Sequence, residues 1–228
     1  MRILKIVILS IFALIVIYFL GPKPPKPVLS ESLPTVASIN TLDTYITAME
    51  APYKIKSNNE AKIIWADSSK TQTDYAIVYL HGFSASQMEG APVHQNIAKQ
   101  FNCNLYLARL AEHGIDTTED LMNLTADQYW ESAKLAFAIG KQIGKKVILM
   151  STSTGGTLAL QLAATYPEIA GLILYSPNIE VFNPAAPLLN NPGENTVANL
   201  PSWYAEGMTA GFAVLIFANV TPLVVPAP

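Results

Sequence analysis

Four apolar runs constrain this chain more than any other feature. Tyr75–Leu80, Leu105–Leu110, Lys146–Met150 and Gly171–Tyr175 are short and nearly unbroken in Val, Ile, Leu, Tyr and Ala. A strand with one wet face alternates apolar and polar residues, whereas an unbroken run needs both faces covered, as inside a parallel sheet. Ala61–Ala66 reads as an earlier strand. Helical patterns separate the runs. Pro92–Phe101 sets Val93, Ile97 and Phe101 at i, i+4 and i+8. Thr125 opens a second helix with a capping-type residue, running on through Tyr129, Trp130, Ala133, Leu135, Phe137 and Ile139 to Gly140–Gly144. Thr157–Tyr166 is rich in Ala and Leu and stops before Pro167. Strands alternating with such helices form right-handed βαβ units, so the expected fold class is α/β with a mostly parallel sheet. Residues 28–60, polar apart from an amphipathic Leu42–Met49, read as a lead-in.

Composition narrows the partners. Only 14% of the 228 residues are charged, against about 25% in ordinary soluble domains, and half are hydrophobic. That excludes a disordered chain, a coiled coil and a collagen-like fibre. A net charge of −3 without a basic cluster in the body argues against nucleic acid. Cys103 is the only cysteine, so no disulfide or thiolate cluster can form within one chain. His81, His94 and His113 lack the paired spacing of metal ligands, and no glycine-rich dinucleotide or phosphate loop occurs, so neither metal nor cofactor is expected. Trp65, Trp130 and Trp203 read as core or interface residues. The charge is uneven: residues 147–228 hold no Lys, Arg, Asp or His, only Glu168, Glu180, Glu194 and Glu206.

The two ends are unusual. Ile3–Leu20 is apolar apart from Lys5, Ser10 and the Tyr18 hydroxyl, and at 18 residues it just reaches the range of about 17–25 that a membrane span needs. No small-x-small cleavage site follows it. The expectation is a single-pass N-terminal transmembrane anchor over residues 1–21, with secretion or periplasmic release after signal cleavage as the alternative. Pro22–Pro27 reads as a stiff polyproline spacer at the head of a linker and lead-in, 22–60. Past about Asn183 the chain carries 7 of its 16 prolines, and Met208–Val225 is uncharged. This tail, 184–228, reads as the end of a truncated or misread chain or as a second membrane segment; Asn219 and Pro222 weigh against the latter.

Chemistry enters at Ser151-Thr152-Ser153-Thr154-Gly155-Gly156, which joins the third apolar run to the Thr157 helix. A strand followed at once by x-x-Ser-x-Gly and a helix makes a sharp turn that lifts one hydroxyl clear of the sheet. Small residues two before and two after the serine, here Ser151 and Gly155, let strand and helix approach. Ser153 is the candidate nucleophile, and the Thr154 N–H at the helix start is a candidate donor to developing negative charge. Taken alone, the segment can also be read as only a turn with a helix cap.

The strand Tyr75–Leu80 runs into His81-Gly82-Phe83-Ser84-Ala85-Ser86, and here the chain resembles the α/β-hydrolase family. Arg109-Leu110-Ala111-Glu112-His113-Gly114 is similar to the strand–loop segment ending in Gly-His-Gly of monoglyceride-lipase-like and carboxylesterase-like members, with Glu112 for the first Gly, and Tyr175-Ser176-Pro177-Asn178 resembles the strand end after the nucleophile helix. The resemblance covers a core of residues 61–183. It implies that the Phe83 N–H is the second oxyanion donor and that His81 and His113 are structural. It also implies an order of nucleophile, acid, histidine, and no Asp or His follows Ser153. The fold is therefore expected to be incomplete at its C-terminal end. The implied function is a membrane-anchored serine hydrolase taking a small-molecule acyl substrate, an ester or related compound, through an acyl-enzyme at Ser153. Activity is expected to be weak or absent without the base. The alternatives are a non-catalytic hydrolase-like binding protein and a small membrane protein with two spans.

Overall fold

The computed structural model describes residues 2–20, 27–118, 121–179 and 215–218. The chain divides into two units. The first takes in Met1–Pro27 and Glu180–Leu200, and its described part is one helix, α1 (Arg2–Leu20). Its large apolar side chains from Ile3 to Ile15 are exposed on every side. Among the described residues no helix is long and apolar enough to cross a membrane, so the expected transmembrane anchor is not supported. At 1.5 Å per residue the apolar stretch clear of Arg2 and Lys5 reaches only about 22 Å, against a hydrocarbon core of about 30 Å. The expected spacer at 22–26 and most of the 184–228 tail, with Trp203, lie outside the described residues.

The second unit, Val28–Ile179 and Pro201–Pro228, is built on a six-stranded sheet. In chain order its strands are β1 (Lys62–Ile64), β2 (Thr73–Leu80), β3 (Asn104–Leu107), β4 (Gly144–Thr152), β5 (Gly171–Tyr175) and β6 (Leu215–Ala218); in space they lie β1-β3-β2-β4-β5-β6. The inner pairs β3–β2, β2–β4 and β4–β5 are parallel, and the two outer strands pair antiparallel. β6 falls within the tail segment weighed above as a membrane span, and its four described residues are a strand on the edge of β5.

Alternate residues of the buried runs serve opposite layers, as the pleat requires. Ala76, Val78 and Leu80 of β2 join Val147 and Leu149 against α4 (Ala126–Ile143) and α5 (Thr154–Thr165), where Trp130, Phe137 and Leu162 complete the main core. Ile77 and Tyr79 face the other way, with Leu105, Leu107 and Met150, toward α3 (Val93–Gln100). Thr125 and Gln128 close a reciprocal capping box at the start of α4. In α3 only Ile97 of the apolar stripe packs against the core. Val93 and Phe101 are exposed, and His94 and Ala98 are buried instead. The small Ala98 and a hydrogen-bonded His94, lying edge-on to the Tyr79 ring at 4.8 Å, allow closer approach to the sheet than a branched side chain would.

The lead-in contributes α2 (Leu42–Glu50) and an extended strap. Along residues 28–32 the strap is read by side chains of α4 and its neighbour. Asp127 accepts from Val28 and Leu29 N–H, Trp130 Nε1 donates to Ser30 O, Lys134 Nζ to Ser32 O, and the Tyr166 hydroxyl to Glu31 O, all within 3.0 Å.

β2 has β3 on one side and β4 on the other, so the chain leaves it in one direction and returns on the opposite side. Such a reversal opens a crevice at the carboxyl ends of the strands. The segments that leave those ends are His81-Gly82-Phe83 and Ser153.

Candidate active site

β4 ends at Thr152 and α5 begins at Thr154, so one residue turns strand into helix. Ser153 does this at φ 50°, ψ −119°, a conformation that costs a non-glycine residue on the order of 1–3 kcal/mol. Its surroundings hold it there. Its N–H donates to Tyr175 O at 3.0 Å, and its carbonyl accepts from Gly156 N–H at 2.8 Å and Asn178 N–H at 2.9 Å. The Thr157 hydroxyl fixes Asn178 through its carbonyl. Gly155 is required by close approach, since a Cβ there would lie 2.2 Å from Leu80 O and 2.6 Å from His81 O. The helix therefore starts three residues before the expected Thr157, with Gly155 and Gly156 inside its first turn.

The β2–β4 register pairs Leu80 with Ser151, which brings the loop after β2 level with the Ser153 turn. A Cβ built on Gly82 would lie 3.3 Å from Ser153 Cβ, so Phe83, the next residue, also belongs to this crevice. Its ring is exposed and meets His113 edge-on. Among the described residues, neither the Phe83 nor the Thr154 N–H has an acceptor. Thr154, first in its helix, cannot find one within it.

His81 and His113 have both ring nitrogens engaged, whereas His94 engages one and leaves its buried Nδ1 without a partner among the described residues. His81 is buried; its Nδ1 donates to Gly82 O at 2.9 Å and its Nε2 accepts from Leu110 N–H at 3.1 Å. His113 donates through Nδ1 to Ala111 O at 2.7 Å and accepts from Ser84 N–H at Nε2, 3.1 Å. It also stacks on Tyr129. Burial lowers the pKa of both, that of His81 to about 4, so both rings are neutral near pH 7. His94, its pKa likewise lowered by burial, donates to Gln87 O. Glu168 pairs with Lys141 at 3.0 Å, and Glu180, Glu194 and Glu206 lie outside the described residues. A polar pocket of about 200 Å³ lies behind the Phe83 loop, lined by Lys56, Asn59, Ser84, Ser86, Glu112 and His113 among others. Among the described residues no group of three His, Cys, Asp or Glu is placed to hold a metal ion.

One acidic residue of the crevice escapes a sequence reading. Glu89 accepts the Gly82 N–H at 2.8 Å and the Tyr79 hydroxyl at 3.4 Å. Nothing about its spacing or neighbours marks it in advance.

The sequence profile of Hydrolase_4, serine aminopeptidase S33, matches residues 73–210, from the first residue of β2 onward. The chain belongs to this family. The Hydrolase_4 match spans both segments that meet in the crevice. No curated protein matches the chain. Among solved structures it is similar to a metagenome-derived lipolytic enzyme from work on LipS and LipT, at 18% identity and TM-score 0.52, over 64% of this chain and 55% of the other. An esterase of Pyrococcus furiosus gives 18% identity and TM-score 0.43 over 68% and 56% of the two chains. MenH from S. aureus gives 23% and 0.41 over 57% and 46%. This Hydrolase_4 chain thus spans about half the length of the solved proteins it matches.

Proposed function

We propose that this chain carries the nucleophile and oxyanion half of a serine hydrolase for esters or related acyl bonds of small molecules. The Ser153 Oγ attacks the acyl carbon, the carbonyl electron pair moves onto oxygen, and the Phe83 and Thr154 N–H groups receive that charge. Collapse expels the alcohol or amine and leaves the acyl-enzyme, which water then cleaves. The observation that carries this reading is the Ser153 backbone: a serine kept at φ 50° beside two amides that have no acceptor among the described residues, at the carboxyl ends of parallel strands. Burying such amides against a developing oxyanion is often the largest single contribution to acyl transfer.

The proton on Oγ needs an acceptor, and His81 and His113 have both ring nitrogens engaged. Oxyanion binding alone leaves only residual catalysis in such enzymes, so turnover by these residues is slow. The same fact favours a second reading, a binding protein that keeps the crevice without the reaction. A fluorophosphonate probe separates them. Slow labelling at Ser153, abolished in Ser153→Ala, supports the hydrolase; labelling that persists in the variant refutes Ser153 as nucleophile, and none in the wild type favours the binding protein.

The exposed apolar side chains of α1 from Ile3 to Ile15 support a role in taking the chain to a membrane, as a signal-type segment or an anchor. Deleting residues 1–27 then releases the protein from the membrane fraction; retention there counts against this role for α1.

A further inference from the structure

We propose that Glu89 is a positioning residue for the oxyanion loop, acting through its reach and not through its charge; the inference rests on Ser153 being the nucleophile. Glu89 stands in a short 3₁₀ turn, Gln87–Gly90, capped by Ser86, whose hydroxyl accepts the Met88 N–H and whose carbonyl accepts the Glu89 N–H. Gly90 lets the turn settle on the sheet, since a Cβ there would lie 2.5 Å from His94 Cδ2 and 2.6 Å from Tyr79 Cζ. The turn therefore rests against the Tyr79 ring and brings the Glu89 carboxylate to the end of it.

One carboxylate oxygen, Oε2, then joins both sides of the crevice. It accepts the Gly82 N–H, and it accepts the Tyr79 hydroxyl. With its proton so used, Tyr79 accepts in turn from the Thr152 hydroxyl at 2.9 Å. Thr152 immediately precedes Ser153. The loop that bears Phe83 and the turn that bears Ser153 are thus tied to the same atom. The other oxygen, Oε1, lies 3.1 Å from the point where a Gly82 Cβ would sit, with Ser153 Cβ 3.3 Å from that point.

The pattern of amides along the loop explains what this achieves. Gly82 N–H is held by Glu89 and Ser84 N–H by His113, one pin on each side of Phe83. The Phe83 N–H between them has no acceptor among the described residues and is the donor assigned to the oxyanion. Preorganised donors of this kind act without reorganising when charge develops, so loosening one pin lowers reactivity while leaving binding of the probe intact.

Glu89→Gln and Glu89→Asp in the full-length chain separate reach from charge. Glutamine keeps the length and an acceptor oxygen but loses the charge; aspartate keeps the charge and is one methylene short. Two readouts are taken: hydrogen exchange at the Gly82 amide, and fluorophosphonate labelling of Ser153 resolved into half-saturation and maximal rate. Glu89→Gln keeps both within about threefold. Glu89→Asp raises Gly82 exchange about tenfold and lowers the maximal labelling rate about tenfold at unchanged half-saturation, the size expected for one lost hydrogen bond. The opposite order, with Asp tolerated and Gln impaired, overturns the proposal in favour of a role for the charge; equal behaviour of the two overturns it as well. Gly82 exchange is read whether or not Ser153 reacts, so a chain that never labels sinks the nucleophile assignment separately from Glu89's hold on the loop.

Discussion

Acid weakens this fold through His81 before it touches the carboxylates. The ring is buried with its Nε2 lone pair facing the Leu110 N–H, so a proton there would replace a hydrogen bond with a donor–donor clash inside the core. Burial brings the folded pKa down to about 4 from 6.5, with His113 and Arg109 pushing the same way. Between those values the unfolded chain binds the proton and the folded one does not, so stability is lost as pH falls. A gap of about 2.5 units at about 1.36 kcal/mol each makes the loss about 3 kcal/mol, complete only near pH 4. His94 and His113 are shifted in the same direction and add to it. Asp67, Asp74 and Asp116 have pKa values lowered by Ser69, Lys145 and Lys54 respectively. Their contribution is lost only below the ordinary carboxylate range, and because they are exposed it is small. The assay is urea unfolding followed by tryptophan fluorescence, at half-unit steps from pH 7.0 to 4.5. The wild type loses about 2–3 kcal/mol over that range, and His81→Gln, though less stable at pH 7, declines much less steeply. Parallel slopes for the two proteins would refute the argument.

Three further outcomes follow from the same geometry. Ser153→Gly unfolds at a higher temperature than Ser153→Ala, by the equivalent of about 1 kcal/mol, because only glycine relaxes the φ of 50°; calorimetry on the pair decides it. Gly155→Ala forces a methyl onto the Leu80 and His81 carbonyls and costs about 3 kcal/mol or prevents folding, whereas a thermal midpoint near wild type would mean that α5 can shift. Trp130→Phe removes the bond to Ser30 O and costs about 1 kcal/mol, with faster hydrogen exchange confined to residues 28–32; unchanged exchange there would show that the strap is held elsewhere.

The parallel core was legible because β2, β4 and β5 are buried on both faces and so carry unbroken apolar runs; Gly171–Tyr175 was read to the residue. Thr125 signalled the start of α4 through its own side chain. Ser153 stood out because a strand running directly into a helix needs small residues around the turn, a local demand that sequence expresses. Glu89 did not stand out, because its partners are a main-chain N–H and a tyrosine ten residues away. The spacing of Val93, Ile97 and Phe101 marks α3 as a helix but not its most buried face, because burial there follows a hydrogen-bonded histidine and an alanine.

The strap at residues 28–32 also sets an order of events on the ribosome. Its partners Asp127, Trp130, Lys134 and Tyr166 lie 98–135 residues further along the chain. At translation rates of about 5–20 residues per second, that delay is roughly 5–30 s. Throughout it the segment's carbonyls stay hydrated and the groove that will receive them does not yet exist. Seating of the strap is therefore a late step, completed only after α5 has emerged, and a nascent chain halted before Asp127 leaves this stretch open to proteases.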